Sequence, residues 1–215
     1  MHAGMRRHSY DHRWFAATYD FVAGPMEKRL MSRLRERVVG TAHGRVIEIG
    51  AGTGASFASY PPDADVVATE PDWYMLSRAR RRLRQAALPN ITLVRAAAEH
   101  LPFTEASFDY AVSTLVLCTA QDVARALAEI HRVLKPQGTF RFIEHVRNDE
   151  SRLWGRMQDA VTPVWRWFGA GCHLNRRTGA AIEAAGFRLS WTESANAGLG
   201  IPLLYGEATR PAARA

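Results

Sequence analysis

Arg45-Val46-Ile47-Glu48-Ile49-Gly50-Ala51-Gly52-Thr53-Gly54-Ala55 is the stretch that decides the fold. Val46, Ile47 and Ile49 are the β-branched run of a short buried strand. Gly50, Gly52 and Gly54 follow, with no Cβ to hold the backbone away from a ligand. A helix is expected to open near Thr53 and aim its free N–H groups at whatever docks there. The turn is therefore expected to bind something nucleotide-like.

The spacing is E-x-G-x-G-x-G rather than G-x-G-x-x-G, with Ala55 where a third dinucleotide-fold glycine falls. On glycines alone an NAD-binding reading survives. Glu48 opposes it, because a carboxylate beside the turn repels a pyrophosphate and suits a ligand carrying an ammonium group and a sulfonium. Glu70, at the end of the next apolar run, lies where a carboxylate accepts from ribose hydroxyls, a position that suits either class of nucleotide.

The chain has 215 residues, enough for one domain with a full core. Net charge is +7, and Lys28 and Lys135 are the only lysines among its basic residues. That balance permits an acidic substrate or an anionic surface. No nucleic-acid-reading motif accompanies it. Cys118 and Cys172 suggest no disulfide framework, no apolar run approaches the about 18 residues a membrane span needs, and no signal peptide is expected at the N-terminus. A cytoplasmic protein without a transmembrane segment is expected.

Outward from the turn, residues 10–24 (Tyr10, Trp14, Phe15, Tyr19, Phe21) read as an amphipathic helix, either packed on the core or lying over the ligand with Tyr19 and Asp20 at its edge. Residues 25–39 read as a helix with Met26, Leu30, Leu34 and Val38 on one face and a basic opposite face, ended by Gly40. The basic face is either solvated or a peripheral membrane contact. The helix after the glycine turn is expected to stop at Pro61-Pro62. Strands follow at 66–69 and 91–94, separated by a helix that Asp72 caps and whose buried stripe is Leu76, Ala79, Leu83 and Ala86. A fourth strand starts at Phe108, and a helix spans 121–134. Lys135-Pro136-Gln137-Gly138 reads as a turn before a fifth strand at 139–143. Trp154, Trp165, Trp167 and Phe168 fall in a less regular segment that Pro163 breaks. A helix over 178–185 ends at Gly186, and 187–191 and 203–205 read as a late hairpin.

Strands alternating with helices predict a doubly wound, mostly parallel α/β sheet. The expected layout is a helical cap (1–40), a cofactor-binding core (41–150), and an acceptor-pocket cover with the C-terminal hairpin (151–215). Ligands of such sheets bind outside the carboxyl ends of the strands. That gathers 50–54, Glu70, 96–99, Ser113 to Leu115 and Glu144-His145 into one crevice.

Over residues 10–205 the order of motifs resembles the class I S-adenosylmethionine (SAM)-dependent methyltransferases of type 11. VIEIGAGTG (46–54), Glu70, AAAEHLPF (96–103) before FDYAVS, and VLKPQG leading into FRFIEHV carry the resemblance. It implies a Rossmann-like seven-stranded sheet with an antiparallel C-terminal hairpin, and SAM as cofactor. Tyr19, Glu48, Gly50, Ala51, Gly52, Thr53, Gly54, Glu70, Pro71, Met75, Ala98, Glu99, Thr114 and Leu115 would then form its site. Glu48 would face the aminoacyl end, Glu70 would hold the ribose, and Met75 or Trp73 would pack on the adenine. Many relatives carry an acidic residue at position 97. Here it is Ala97, which leaves the acceptor for the adenine amino group absent or supplied by the backbone, while Ala98 and Glu99 would lie along the adenine edge.

TLVLCTAQD (114–122), FIEHVR (142–147) and GCHLNRRTGAAIEAAGF (171–187), with Trp154, Gln158, Pro163 and Trp165, are similar to alkyl-thiol S-methyltransferases and their bacterial relatives. Animal members begin with a hydrophobic anchor that is not found here. Some bacterial relatives methylate phospholipids or quinones.

The resemblance implies a small-molecule acceptor, best a thiol, which needs only to ionise. N- or O-methylation of a lipid headgroup or quinone-like ring is the alternative, and an NAD-binding oxidoreductase or a silent SAM-binding module the rivals. His145, at the crevice, and His173, in a glycine-rich loop, are the candidate bases. Cys118 reads as a small buried hydrophobe. Arg176 and Arg177 read as a solvated face or an acidic-acceptor site. No metal is expected, because no local spacing of ligands is found.

Overall fold

The computed structural model describes residues 25–169, 171–196 and 201–212. The aromatic segment at 10–24, with Tyr19, lies outside the described residues. Seven strands form one sheet in the order β3-β2-β1-β4-β5-β7-β6. They are β1 (Arg45–Ile49), β2 (Asp65–Thr69), β3 (Ile91–Val94), β4 (Phe108–Thr114), β5 (Leu134–His145), β6 (Arg188–Asn196) and β7 (Pro202–Thr209). β1 to β5 pair in parallel, β7 runs antiparallel to β5, and β6 antiparallel to β7. Five α-helices complete the described residues: α1 (Pro25–Val39), α2 (Trp73–Ala86), α3 (Val123–Val133), α4 (Arg152–Phe168) and α5 (Thr178–Ala184).

β1 is central because both its faces are apolar. Val46 joins a cluster with Val39, Phe57, Val66 and Ala79, while Ile47 and Ile49 join another with Phe108, Leu127, Ile130, Phe140 and Phe142. The chain winds from β1 out to β3, then crosses back to β4. The order reverses between β1 and β4, and that switch point opens the crevice.

Four expectations change. The helix after the glycine turn is a single 3-10 turn, Phe57–Ser59, preceded by Gly54 at φ 80° and ended by Tyr60 in extended conformation at ψ 139°. The buried face of α2 is Met75, Leu76 and Ala79, while Ala86 is exposed in its last turn. Residues 135–138 are a bulge inside β5: Phe108 pairs with Leu134 and Tyr110 with Thr139, and Gln137 takes up the slack at φ 63°. Pro163 does not break its segment. α4 runs through it, with the Thr162 hydroxyl donating to Gln158 O at 2.6 Å.

α4 is anchored by a polar residue rather than by its tryptophans. The buried Gln158 side chain accepts from Asn148 N and donates to Val146 O and Leu174 O at 2.7–3.1 Å. Leu153, Met157, Val164 and Trp167 on the same helix are exposed. Among the described residues no helix is long and apolar enough to cross a membrane.

Candidate active site

The glycine turn starts where β1 ends. Gly50, Gly52 and Gly54 all have φ between 57° and 80°, but for different reasons. A Cβ on Gly50 would lie 2.5 Å from Val116 Cγ2, and one on Gly54 2.4 Å from the Phe57 ring; one on Gly52 would meet nothing within 4 Å. Two glycines therefore serve packing, and Gly52 alone turns its bare face to open space. Hydrogen bonds from Ala51 N to Thr69 O and from Gly54 N to Ala51 O, both 2.8 Å, fix the turn.

Glu48 lies in β1, two residues before the turn, and is buried. Its Oε2 accepts no hydrogen bond, and Thr53 Oγ1 and Thr114 Oγ1 are likewise buried without partners. Burial pushes the Glu48 carboxyl up to about 7, against the stabilising influence of Ser56. Glu70 ends β2. Its two oxygens accept from Gly52 N (2.8 Å) and Asp72 N (2.9 Å), and burial still pushes it up to about 7. Asp72 caps α2 by accepting from Tyr74 N and Met75 N at 2.7 and 3.0 Å. This sets the buried Met75 one turn from Glu70. Trp73 is half exposed, with Arg80 and Arg95 over its ring.

Ala98 and Glu99 are buried beyond β3. The Glu99 carboxylate accepts from Gln121 N and Asp122 N at 2.9 and 3.3 Å, so it pins the start of α3.

The other wall is built around Glu144, the penultimate residue of β5. Its fully buried carboxylate accepts from Ser113 Oγ (2.6 Å), Val116 N (3.1 Å), Leu117 N (3.0 Å) and Cys118 N (3.1 Å). Burial raises its pKa, and these donors oppose the rise. The carboxylate thereby bends the chain leaving β4, where Leu115 sits at φ 58° beside Thr114. Sequence reasoning placed Glu144 at the crevice but gave it no role. The available signal was an acid closing the apolar run FRFI.

Arg176 completes this wall. Its guanidinium donates to Leu117 O and Ala120 O, on either side of Cys118, and burial lowers its pKa. It is a strut, not the solvated residue the sequence suggested. Arg177 pairs with Asp149.

His145 ends β5, and its Nδ1 lies 3.7 Å from Cys172 Sγ. Cys118, His145 and Cys172 offer ligand atoms that all lie within 4.8 Å of one another. The sequence expectation of no ligand set rested on local spacing; these three come from separate segments that the sheet brings together. The Cys172 thiol is held below its ordinary range by its hydrogen bond with Cys118, then by His145, while Cys118 is raised. His173 Nδ1 lies 3.2 Å from Cys118 O, and burial lowers its pKa. Gly171 N donates to Arg166 O and His173 N to Cys118 O, so the glycine-rich loop is tied down.

The structure thus collects two groups of the expected residues. Glu48, the glycine turn, Glu70, Pro71 and Met75 form one; Thr114, Leu115, His145 and His173 form the other.

Residues 47–142 match the methyltransferase domain family. The chain is 33% identical over 177 residues to thiol S-methyltransferase TMT1B of Rattus norvegicus, covering 77% of this chain and 70% of that one. It is 29% identical over 142 residues to a phosphatidylethanolamine N-methyltransferase of Cereibacter sphaeroides, covering 66% and 68%. Its fold matches the crystal structure of the YcgJ protein of Bacillus subtilis with a TM-score of 0.69 at 16% identity, over 88% of this chain and all of that one. The choice left open by the glycines is thereby decided, since a relative at this identity spans most of both chains. The chain belongs to the SAM-dependent methyltransferase family, and SAM is its cofactor.

Proposed function

We propose that this enzyme methylates the sulfur of a small apolar thiol. The observation that carries the reading is the 33% identity to a thiol S-methyltransferase across 70% of that relative's length. The cofactor fits the first group of residues. The orphaned Glu48 oxygen is matched by an ammonium group, the open face of Gly52 admits the backbone-hugging ribose, and Glu70 trades part of its backbone pairing for ribose hydroxyls. Met75 and Ala98 offer the adenine an apolar edge. Bound SAM supplies an electrophilic methyl group on a sulfonium.

The chain's task is then to align the acceptor sulfur with that methyl and to exclude water. Thr114 and Leu115, held by the Glu144 loop, and the segment carrying Cys172 and His173 lie at the acceptor end. A thiol ionises near 8.5 unaided, so His145 or His173 need only receive a proton. The two free cysteines suit a reducing compartment such as the cytoplasm.

A mass-spectrometric panel of thiols, phenols and amines, with calorimetric titration of SAM, tests the proposal. Selective methylation of thiols is expected; methylation of phenols or amines but of no thiol overturns it. The lipid N-methyltransferase relative and the exposed apolar residues of α4 support a second reading, methylation of a lipid headgroup, in which the basic face of α1 docks on an anionic membrane. Absence of binding to anionic vesicles at low salt would discard it.

A further inference from the structure

The geometry points to a zinc site formed by Cys118, His145 and Cys172, whose fourth position takes the acceptor thiol as its thiolate. The second half of this statement rests on the thiol-methylation reading; the first half does not.

Three observations carry it. The first is the donor set: two thiols and one imidazole are soft ligands that favour zinc over magnesium or calcium. The second is distance. Ligands of a tetrahedral zinc at about 2.0–2.3 Å lie about 3.5–3.8 Å from one another. Cys172 Sγ and His145 Nδ1 are already 3.7 Å apart, and no pair among the three ligand atoms exceeds 4.8 Å. The third is support. Cys118 is gripped from both sides, its N–H donating to Glu144 and its carbonyl accepting from His173 N at 2.7 Å, while Arg176 holds the carbonyls of Leu117 and Ala120. Cys172 N donates to Gly169 O at 2.9 Å, and His145 is paired with Leu203 in the sheet. A site held this way needs little reorganisation to bind.

Three protein ligands leave one tetrahedral position open, the arrangement of catalytic rather than structural zinc. His145 is the last residue of β5 and Cys118 follows the last residue of β4 by four, so the cluster stands at the carboxyl ends of these strands, the end at which ligands of such sheets bind. An acceptor thiol entering there loses its S–H proton to water and binds through sulfur. A carbon–sulfur bond then forms to the methyl group, and the methyl's bond to the sulfonium sulfur breaks, its electron pair staying on that sulfur. The product thioether, now neutral, is a weaker zinc ligand and leaves.

The test uses the full chain, stripped with a chelator in a phosphine reductant, then titrated with zinc alone and separately with cobalt(II) alone. One equivalent of zinc per chain is expected by elemental analysis, with a near-ultraviolet thiolate-to-cobalt charge-transfer band. Cys118→Ser and Cys172→Ser should each lower zinc affinity about a hundredfold. Circular dichroism of the variants establishes that they fold, and the wild-type cobalt spectrum stands without them. No stoichiometric zinc and no charge-transfer band overturns the site. Undiminished thiol methylation by the stripped enzyme overturns the role of the fourth position while leaving S-methylation intact. Zinc bound as expected, with methylation only of amines or hydroxyls, refutes the thiol reading and the acceptor role together but not the metal site.

Discussion

Glu48 and Glu144 are buried carboxylates near the ends of strands that flank β4 on either side, yet they are in opposite condition. Glu144 accepts four hydrogen bonds. Glu48 leaves an oxygen orphaned. A buried acid with a full set of donors is part of the scaffold, and its loss exposes them. A buried acid with one oxygen left unpaired is a cost that folding alone does not offset, and a cationic ligand can. The Glu144 carboxylate is therefore satisfied by the fold itself, and the Glu48 carboxylate is completed by what the crevice binds.

Glu144→Ala should give the largest effect. It strips an acceptor from three backbone N–H groups and a buried hydroxyl, and about 4 kcal/mol of stability should be lost in urea denaturation. Glu144→Gln, which keeps one acceptor oxygen, should lose about half as much. An alanine variant as stable as the parent would break the comparison outright.

The β1 side should show itself through pH. Glu48 and Glu70 sit near 7 in the folded protein against an ordinary value of 4.5. The folded state thus keeps protons that the unfolded chain has already released. The contribution of these two groups to stability should be fully present below 4.5, fall as pH rises through that window, and level off above 7, by about 3 kcal/mol for each group. Glu48→Gln should flatten half of this slope and leave the variant no less stable at pH 8. It should also weaken SAM binding by about tenfold or more, since a charge-assisted contact is gone. A flat wild-type profile would mean that Glu48 is better solvated than its burial indicates.

The glycines divide in the same sense. Gly54→Ala forces a Cβ into the Phe57 ring and should cost stability by about 2 kcal/mol or more. Gly52→Ala pays only the left-handed backbone penalty of about 1–2 kcal/mol, yet it should weaken SAM binding more than Gly54→Ala does. Reversal of that order in calorimetry would place the ligand elsewhere on the turn.

Much of this crevice was legible in the sequence because it is built from local signals. A β-branched run, glycines needing positive φ, and an acid followed by a helix cap are each readable within a few residues. The doubly wound sheet followed from alternation, and the site at the carboxyl ends followed from that sheet. The bonding within the β5 side was not legible, for a physical reason. Glu144 bonds to residues 26–31 positions away, Arg176 to carbonyls 56 and 59 away, and Cys172 meets His145 across 27. Such partners are chosen by the sheet, not by spacing. Pro163 misled for a related reason: helix propensity argued for a break, but Gln158 and the surrounding packing hold α4 together across it.

The smallest effect falls where local and distant signals meet. Asp72 caps α2 with its side chain and gives its own N–H to Glu70. Asp72→Ala should cost about 1 kcal/mol, the usual loss of an N-cap. The backbone N–H survives the substitution, so Glu70 should stay in place and SAM affinity should drop only slightly. Asp72→Asn, which retains a capping oxygen, should recover most of the stability. If Asp72→Ala instead weakens SAM binding as much as Glu70→Gln does, the cap itself orients Glu70. The β1 side would then depend on a preformed scaffold as much as the β5 side does, and the contrast between Glu48 and Glu144 would narrow to a single orphaned oxygen.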